Sequence, residues 1–232
     1  MLRVSGIVGG ALLASAFTAA QASAAQIDDF GGGDVTPIVD TGAGFVIDGG
    51  ILGGELDFAP NGNGGLGLFT FGEAGSTATI ALSNAAEAPI QYVLVYDGPD
   101  SATTRAHDLG GVDLTDGGAS DRFRLDVASV VGTPGIFGIQ VGSSDGSPPV
   151  AVSGSANITG PGALDVLFTD FNAFNGTLEG VLSDAGYVQI LLSFDPGESV
   201  TFSNFATVPE PTSLALLGLG GVGLIARRRR SA

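Results

Sequence analysis

The 232-residue chain has no cysteine, no tryptophan, no lysine and one histidine, and only 14% of its residues are charged, against roughly 25% in an average soluble domain. Each shortage closes off some chemistry. Without cysteine there is no disulfide framework, no thiol nucleophile and no zinc site built on thiolates. The one histidine, His107, stands in the loop-like context TTRAHDLGG, so a Ser-His-Asp relay has a single candidate base; a lone loop histidine is ordinarily a solvated residue. All eight basic residues are arginines, and five of them, Arg3 and Arg227 to Arg230, lie at the two ends of the chain. Between the ends, residues 25–208 carry 23 acids against Arg105, Arg122 and Arg124, which leaves a net charge of −20 with histidine neutral. Nucleic acid is excluded as a partner, because its proteins bind mainly by neutralising phosphates with Lys and Arg.

The two ends are organised differently from the middle. The segment MLRVSGIVGGALLASAFTAAQASAAQ has one early positive charge, an apolar stretch from Val4 to Ala20, and small residues at Ala22 and Ala24. That pattern predicts a secretory signal peptide over residues 1–24, cut by signal peptidase after Ala24. At the other end, residues 212–226 run without a charge and as a helix would span about 22 Å, short of the roughly 30 Å hydrocarbon core. Arg227, Arg228, Arg229 and Arg230 should stay cytoplasmic, which leaves residues 25–208 across the inner membrane. Just before the apolar run stands Pro209-Glu210-Pro211. Its two prolines fix φ and bias their predecessors towards extended backbone, a form that suits entry into a protease cleft.

Taken in order, the Pro-Glu-Pro triplet, the short apolar segment and the terminal arginine cluster resemble the PEP-CTERM sorting signal over residues 208–232. The sortase type of signal shares this layout but carries a Leu-Pro-any-Thr-Gly box, and this sequence has none. The resemblance implies an exosortase, a membrane-embedded cysteine protease of exopolysaccharide-producing bacteria, as the partner that reads Pro209, Glu210 and Pro211. It implies nothing about the activity of the rest of the chain, because proteins with this tail have unrelated ectodomains.

Residues 25–208 read as one all-β domain, a β-sandwich or jelly roll flanked by the signal peptide and the transmembrane sorting helix at 209–232. Asp121 to Val127 alternates, with Phe123, Leu125 and Val127 on one face and Arg122, Arg124 and Asp126 on the other, as in a half-buried strand. Ser199 to Phe205 is similar, and the runs 66–71, 77–82, 90–96, 164–171 and 187–194 are rich in β-formers between Gly, Pro, Asn and Asp. No amphipathic helix and no fixed-period repeat is evident outside the termini. The string Val95-Tyr96-Asp97-Gly98-Pro99-Asp100 resembles a stretch of CUB domains, which are extracellular β-sandwiches, without that family's cysteines.

For the domain's own activity the sequence offers little. Asp97, Asp100, Asp113 and Asp116 sit in Gly-rich turns, where clustered carboxylates suit Ca²⁺; Asp and Gly also fill turns for backbone reasons alone, and no D-x-D-x-D-G loop is present. A carboxylate pair for glycoside hydrolysis is compatible with the acid count, since such a pair is defined by separation in space. Its sugar-stacking platforms would have to come from Phe or from the three tyrosines, Tyr92, Tyr96 and Tyr187. The expectation is therefore a non-enzymatic exported protein of the cell surface or biofilm matrix, without a cofactor unless Ca²⁺. Its alternatives are a carbohydrate- or Ca²⁺-binding module and, behind it, a secreted hydrolase. Signal peptidase, an exosortase-type protease and exopolysaccharide are the expected partners.

Overall fold

In a computed structural model, residues 25–30, 44–47, 51–61, 67–74, 77–84, 89–99, 105–146 and 151–209 are described. In chain order the strands are β1 (Gln26–Asp28), β2 (Gly44–Ile47), β3 (Glu55–Asn61), β4 (Gly67–Ala74), β5 (Thr77–Asn84), β6 (Ile90–Tyr96), β7 (Ser120–Val131), β8 (Ile136–Ser143), β9 (Ala151–Asn157), β10 (Gly162–Leu167), β11 (Asn172–Phe174), β12 (Ala185–Phe194) and β13 (Ser199–Pro209), with one short helix, α1 (Leu178–Leu182). Two antiparallel sheets result. The first has the order β10-β7-β13-β5-β4, with β1 also on β13; the second has the order β11-β9-β8-β12-β6-β3-β2. The expected sandwich is the fold.

The alternation read from the sequence places the core. Phe123, Leu125 and Val127 of β7 are at most 5% exposed, and they meet Phe137, Ile139 and Val141 of β8 and Val188, Ile190 and Leu192 of β12 from the opposite sheet. Aromatic rings fill the middle: Phe123 lies 5.2 Å from Phe168, 5.6 Å from Phe171 and 5.8 Å from Phe205 between ring centroids. Strict alternation is interrupted within β13. Phe202 and Phe205 are both fully buried, three residues apart, because β13 shifts register between Phe202 and Asn204; a bulge lets two aromatic side chains of unequal parity face one core.

With no disulfide available, tyrosine hydroxyls tie the sheets together. Tyr92 of β6 donates to the Ser83 carbonyl of β5 at 2.8 Å, and Tyr96 donates to Asp28 Oδ2 of β1 at 3.1 Å, each bond crossing from one sheet to the other. Burial, followed by the Asp28 charge, pushes the Tyr96 hydroxyl well above the usual tyrosine range. The sequence shows no amphipathic helix outside the termini; the structure has α1, begun by Thr177, whose hydroxyl accepts from the Gly180 N–H at 3.1 Å as a helix cap does. The signal peptide, Ala22, Ala24, Asp100, Glu210, Pro211 and the apolar and arginine segments of the tail lie outside the described residues. Among the described residues no helix is long and apolar enough to cross a membrane.

Candidate functional site

The end of β13 is where the fold meets the segment singled out by its sequence. β13 lies between β7 on one side and, on the other, β5 followed by β1. Pro209, the first residue of the triplet, is still within the strand and opposite Ser120, one residue beyond the expected domain boundary. A proline fits there because its missing N–H falls at the strand's last position. Two residues earlier the Thr207 N–H donates to the Ala25 carbonyl at 3.0 Å. The expected first residue after signal removal and the start of the tail segment therefore sit side by side at one pole of the sandwich.

A cavity of about 460 Å³ opens at the same pole, within the range typical of small-molecule sites. Its apolar wall is Phe168, Leu178 and Leu182; its polar wall includes Asp113, Ser120 and Glu179. The hairpin-like turn 113–118 forms one side. Asp113 Oδ1 accepts from the Thr115 N–H at 2.8 Å and from the Thr115 hydroxyl at 2.6 Å, and Oδ2 accepts from the Gly117 N–H at 2.9 Å. These bonds, the Thr115 hydroxyl first, hold the Asp113 carboxyl below the usual carboxylate range, so it is ionised at neutral pH. Ser120 is 5% exposed, and its hydroxyl is buried without a hydrogen-bond partner. The cavity's described lining contains no basic residue.

Of the four Asp residues weighed for Ca²⁺, Asp113 spends its oxygens on its own turn, and Asp116 is exposed with φ +49. Asp97 is fully buried; its Oδ2 accepts from the Ala106 N–H and its carbonyl from the Asp108 N–H at 3.0 Å, which fixes the 105–108 loop. Among the described residues no three of His, Asp and Glu gather as a metal-holding group. His107 is held rather than solvated: Nδ1–H donates to the Ser143 carbonyl at 2.7 Å and the ring meets Tyr187 edge-on at 4.9 Å. Asp184, nearby, accepts from the Ser144 hydroxyl at 2.7 Å. The Asp–His and His–hydroxyl bonds of a Ser-His-Asp relay are thus replaced by Asp–Ser and His–carbonyl bonds.

The tyrosines correct one expectation. Tyr92, Tyr96 and Tyr187 are all 2% exposed or less, so none offers a face to a sugar ring. Tyr187 lies flat across Gly142, where a Cβ would come within 1.9 Å of its ring, and Arg105 caps it, with Cζ 4.5 Å from the ring centroid and Nη1 donating to Gln140 and Gln189 at 3.1 Å each. Among the described residues the exposed aromatic is one that the sequence did not single out, Phe174 of β11, at 76%. Beside it on the outer face of the second sheet is a trough of about 310 Å³ lined by Gly138, Ser153, Ser155, Asp170 and Asn172. Asn172 is two residues from Phe174 and directly opposite Ser153, which puts Asn172 and Phe174 on one side of the sheet.

Among solved structures the chain is similar to the family 11 carbohydrate-binding module of the cellulosomal cellulase Lic26A-Cel5E of Clostridium thermocellum, with 16% identity, a TM-score of 0.47, and 81% of this chain and 95% of that one covered. It is also similar to the Clostridium thermocellum module in complex with a β-1,3-1,4-mixed-linked tetrasaccharide (13%, 0.43, 73% and 97%) and to an exo-β-agarase (11%, 0.40, 66% and 24%). No curated protein matches the chain in sequence. Residues 207–230 match the PEP-CTERM protein-sorting motif, so the chain carries that signal, beginning inside β13 and leaving the sandwich at the pole that Ser120 and Ala25 share.

Proposed function

We propose that the chain is an exported, non-enzymatic protein of the cell surface or biofilm matrix, delivered through its C-terminal signal to an exosortase-type membrane protease. The observation that carries this reading is the sorting motif at 207–230, joined without a linker to the last strand of a folded, strongly anionic β-sandwich. In this account signal peptidase cuts after Ala24, and the apolar segment 212–226 holds the precursor in the inner membrane. Arg227 to Arg230 keep its end cytoplasmic, and the protease hydrolyses a peptide bond near Pro209, Glu210 and Pro211. Replacing Glu210 and Pro211 with alanine leaves β13 intact. The doubly substituted chain should accumulate in the inner membrane with its tail; processing at the normal rate would refute the role given to the triplet.

A second reading, contact with exopolysaccharide, is supported by the outer face of the second sheet. There an exposed ring, Phe174, adjoins a polar trough with Ser153, Asn172 and Asp170. A ring face packs on the C–H face of a sugar while amide, hydroxyl and carboxylate groups meet its hydroxyls. The domain's net charge makes a neutral polysaccharide the better fit than an acidic one.

A further inference from the structure

The trough beside Phe174 holds a glycine that the fold does not need. Gly138 stands inside β8, with β9 on one side and β12 on the other. Glycine weakens a strand there, because it has no side chain to pack and loses more chain entropy on folding. The other described glycines within strands have structural reasons. A Cβ at Gly142 would strike the Tyr187 ring, one at Gly154 would come 2.7 Å from Phe171, one at Gly186 would come 2.7 Å from the Ser144 backbone, and Gly162 has φ +131. At Gly138 the nearest atom to such a Cβ is Leu191 Cβ at 3.6 Å, an ordinary contact, and φ lies outside the range that favours glycine. A side chain would fit the fold at this position, and an interior strand glycine of that kind marks a place where another molecule approaches the backbone closely.

The surroundings indicate the chemistry of that molecule. Ser155, Gly138 and Leu191 are directly opposite one another across β9, β8 and β12. They are on the outer face, since Phe137, Ile139 and Ile190 beside them in their strands are buried in the core. With Asp170 they line the trough of about 310 Å³. One row over, Asn172, Ser153, Gln140 and Gln189 are likewise in register across β11, β9, β8 and β12. Arg105 Nη1 donates to Oε1 of both glutamines at 3.1 Å, which holds the far end of that row in place. A low apolar floor of Gly138 and Leu191 thus runs beside an uncharged row of hydroxyl and amide groups, over four strands or about 14 Å. A pyranose ring has the matching form, an apolar C–H face bordered by hydroxyls, and a floor of that length exceeds one ring. With one carboxylate and no base in the described lining, a neutral sugar fits better than an acidic one.

We propose that Gly138 is the position that admits the ligand: a linear neutral polysaccharide lies across the strands with one pyranose ring seated over Gly138 and Leu191. Its hydroxyls meet Ser153, Ser155 and Asn172, and Phe174 stands at the β11 end of the trough. Gly138 is on this view a specificity-determining residue, kept without a side chain for the ligand and not for the fold. This deepens the exopolysaccharide reading given above and rests on it.

The full-length chain in detergent micelles is run in native gels cast with glucomannan, galactan, laminarin or dextran, and with alginate as the acidic counterpart. The parent should be retarded by at least one neutral polymer and not by alginate. In that gel Gly138→Ala should bind about tenfold more weakly, the effect of one surplus carbon in a fitted site, and Gly138→Val should run unretarded. Gly138→Ala should also melt at the parent temperature or above it, since alanine restricts the unfolded chain, so that its weaker binding reports the site and not the fold. Ala163→Val, exposed on β10 of the first sheet, should be retarded as the parent is. Parental retardation of both Gly138 variants overturns the role of Gly138 and leaves the Phe174 reading standing. A melting temperature of Gly138→Ala below the parent's shows that the fold itself requires the glycine, and overturns the inference too. Sedimentation of the parent as a dimer that Gly138→Val separates means that a second copy covers this face, with the same consequence. Retardation by alginate alone overturns the neutral ligand, and a parent retarded in none of the gels removes the polysaccharide reading and this inference with it.

Discussion

Thr207 is the first residue of the sorting motif and a fully buried member of β13, and its hydroxyl has no hydrogen-bond partner. It stands opposite Phe123 in the register of β7 and β13, on the buried face of the strand. Replacing it with valine exchanges a hydroxyl for a methyl of nearly the same shape and keeps the Thr207 N–H bond to Ala25. An unsatisfied buried hydroxyl costs about 1–3 kcal/mol, and a buried methyl contributes about 0.8 kcal/mol. Valine is also well suited to a strand. Thr207→Val should therefore stabilise the domain by about 1–2 kcal/mol, a rise in melting temperature of roughly 2–8 °C at 2–4 °C per kcal/mol for a domain of this size. Thr207→Ser keeps the orphaned hydroxyl and loses the methyl, so it should destabilise by about 1 kcal/mol. Thermal unfolding followed by circular dichroism reads both. A lower melting temperature for the valine variant would show that the hydroxyl is satisfied in the native state, and the core account of this strand would be wrong.

Other consequences are as direct. Tyr96→Phe removes a bond to the buried Asp28 carboxylate and should cost about 1.5–3 kcal/mol by denaturant titration; no loss of stability would remove Tyr96 from the inter-sheet ties. Because the Tyr96 hydroxyl is raised in the folded state, its contribution is complete below the unfolded tyrosine value near pH 10 and is lost as pH climbs above it. The parent should thus lose more stability at alkaline pH than Tyr96→Phe does. At the acid end the direction reverses: Asp165, lowered chiefly by its hydrogen bond to Arg124, contributes above about pH 4 and loses that contribution as pH falls, so Asp165→Asn should flatten the acid limb of the stability curve. Phe174→Ala should leave stability within about 0.5 kcal/mol, as expected for an exposed side chain, and should abolish retardation in gels containing neutral polysaccharide; unchanged retardation would remove the trough from consideration. Millimolar Ca²⁺ should leave the melting temperature unchanged, since the Asp113 oxygens are already taken by its turn, and a calcium-dependent rise would contradict that assignment.

The strands most legible in the sequence are those whose own residues carry the pattern. IQYVLVY coincides with β6, and the alternation of Phe123, Leu125 and Val127 gives the buried face of β7. β9, AVSGSAN, and β11, NAF, carry no such pattern, because Ala, Ser, Gly and Asn favour strands poorly; there the neighbouring strand supplies the pairing. The bulge that turns both Phe202 and Phe205 inward is a decision of tertiary packing with no local mark. At the candidate site the balance is similar. Pro209-Glu210-Pro211 and the arginine block are local chemistry and could be read directly. That Ser120 would face Pro209 across a strand pair, with its hydroxyl buried and without a partner, depends on residues 89 apart in sequence. The tyrosines differ from expectation for a related reason: with no disulfide and no tryptophan, the fold uses their rings as core and the hydroxyls of Tyr92 and Tyr96 as ties between the sheets.

The intact mass of the mature protein, taken from cells with and without the membrane protease, tests the central claim most directly. With the protease present, the chain should begin at Ala25 and lack Arg227 to Arg230; without it, the same chain should keep them. Arginines retained in both would mean that the C-terminal segment is a permanent anchor, and the reading of this protein as a protease-sorted surface or matrix component would be contradicted.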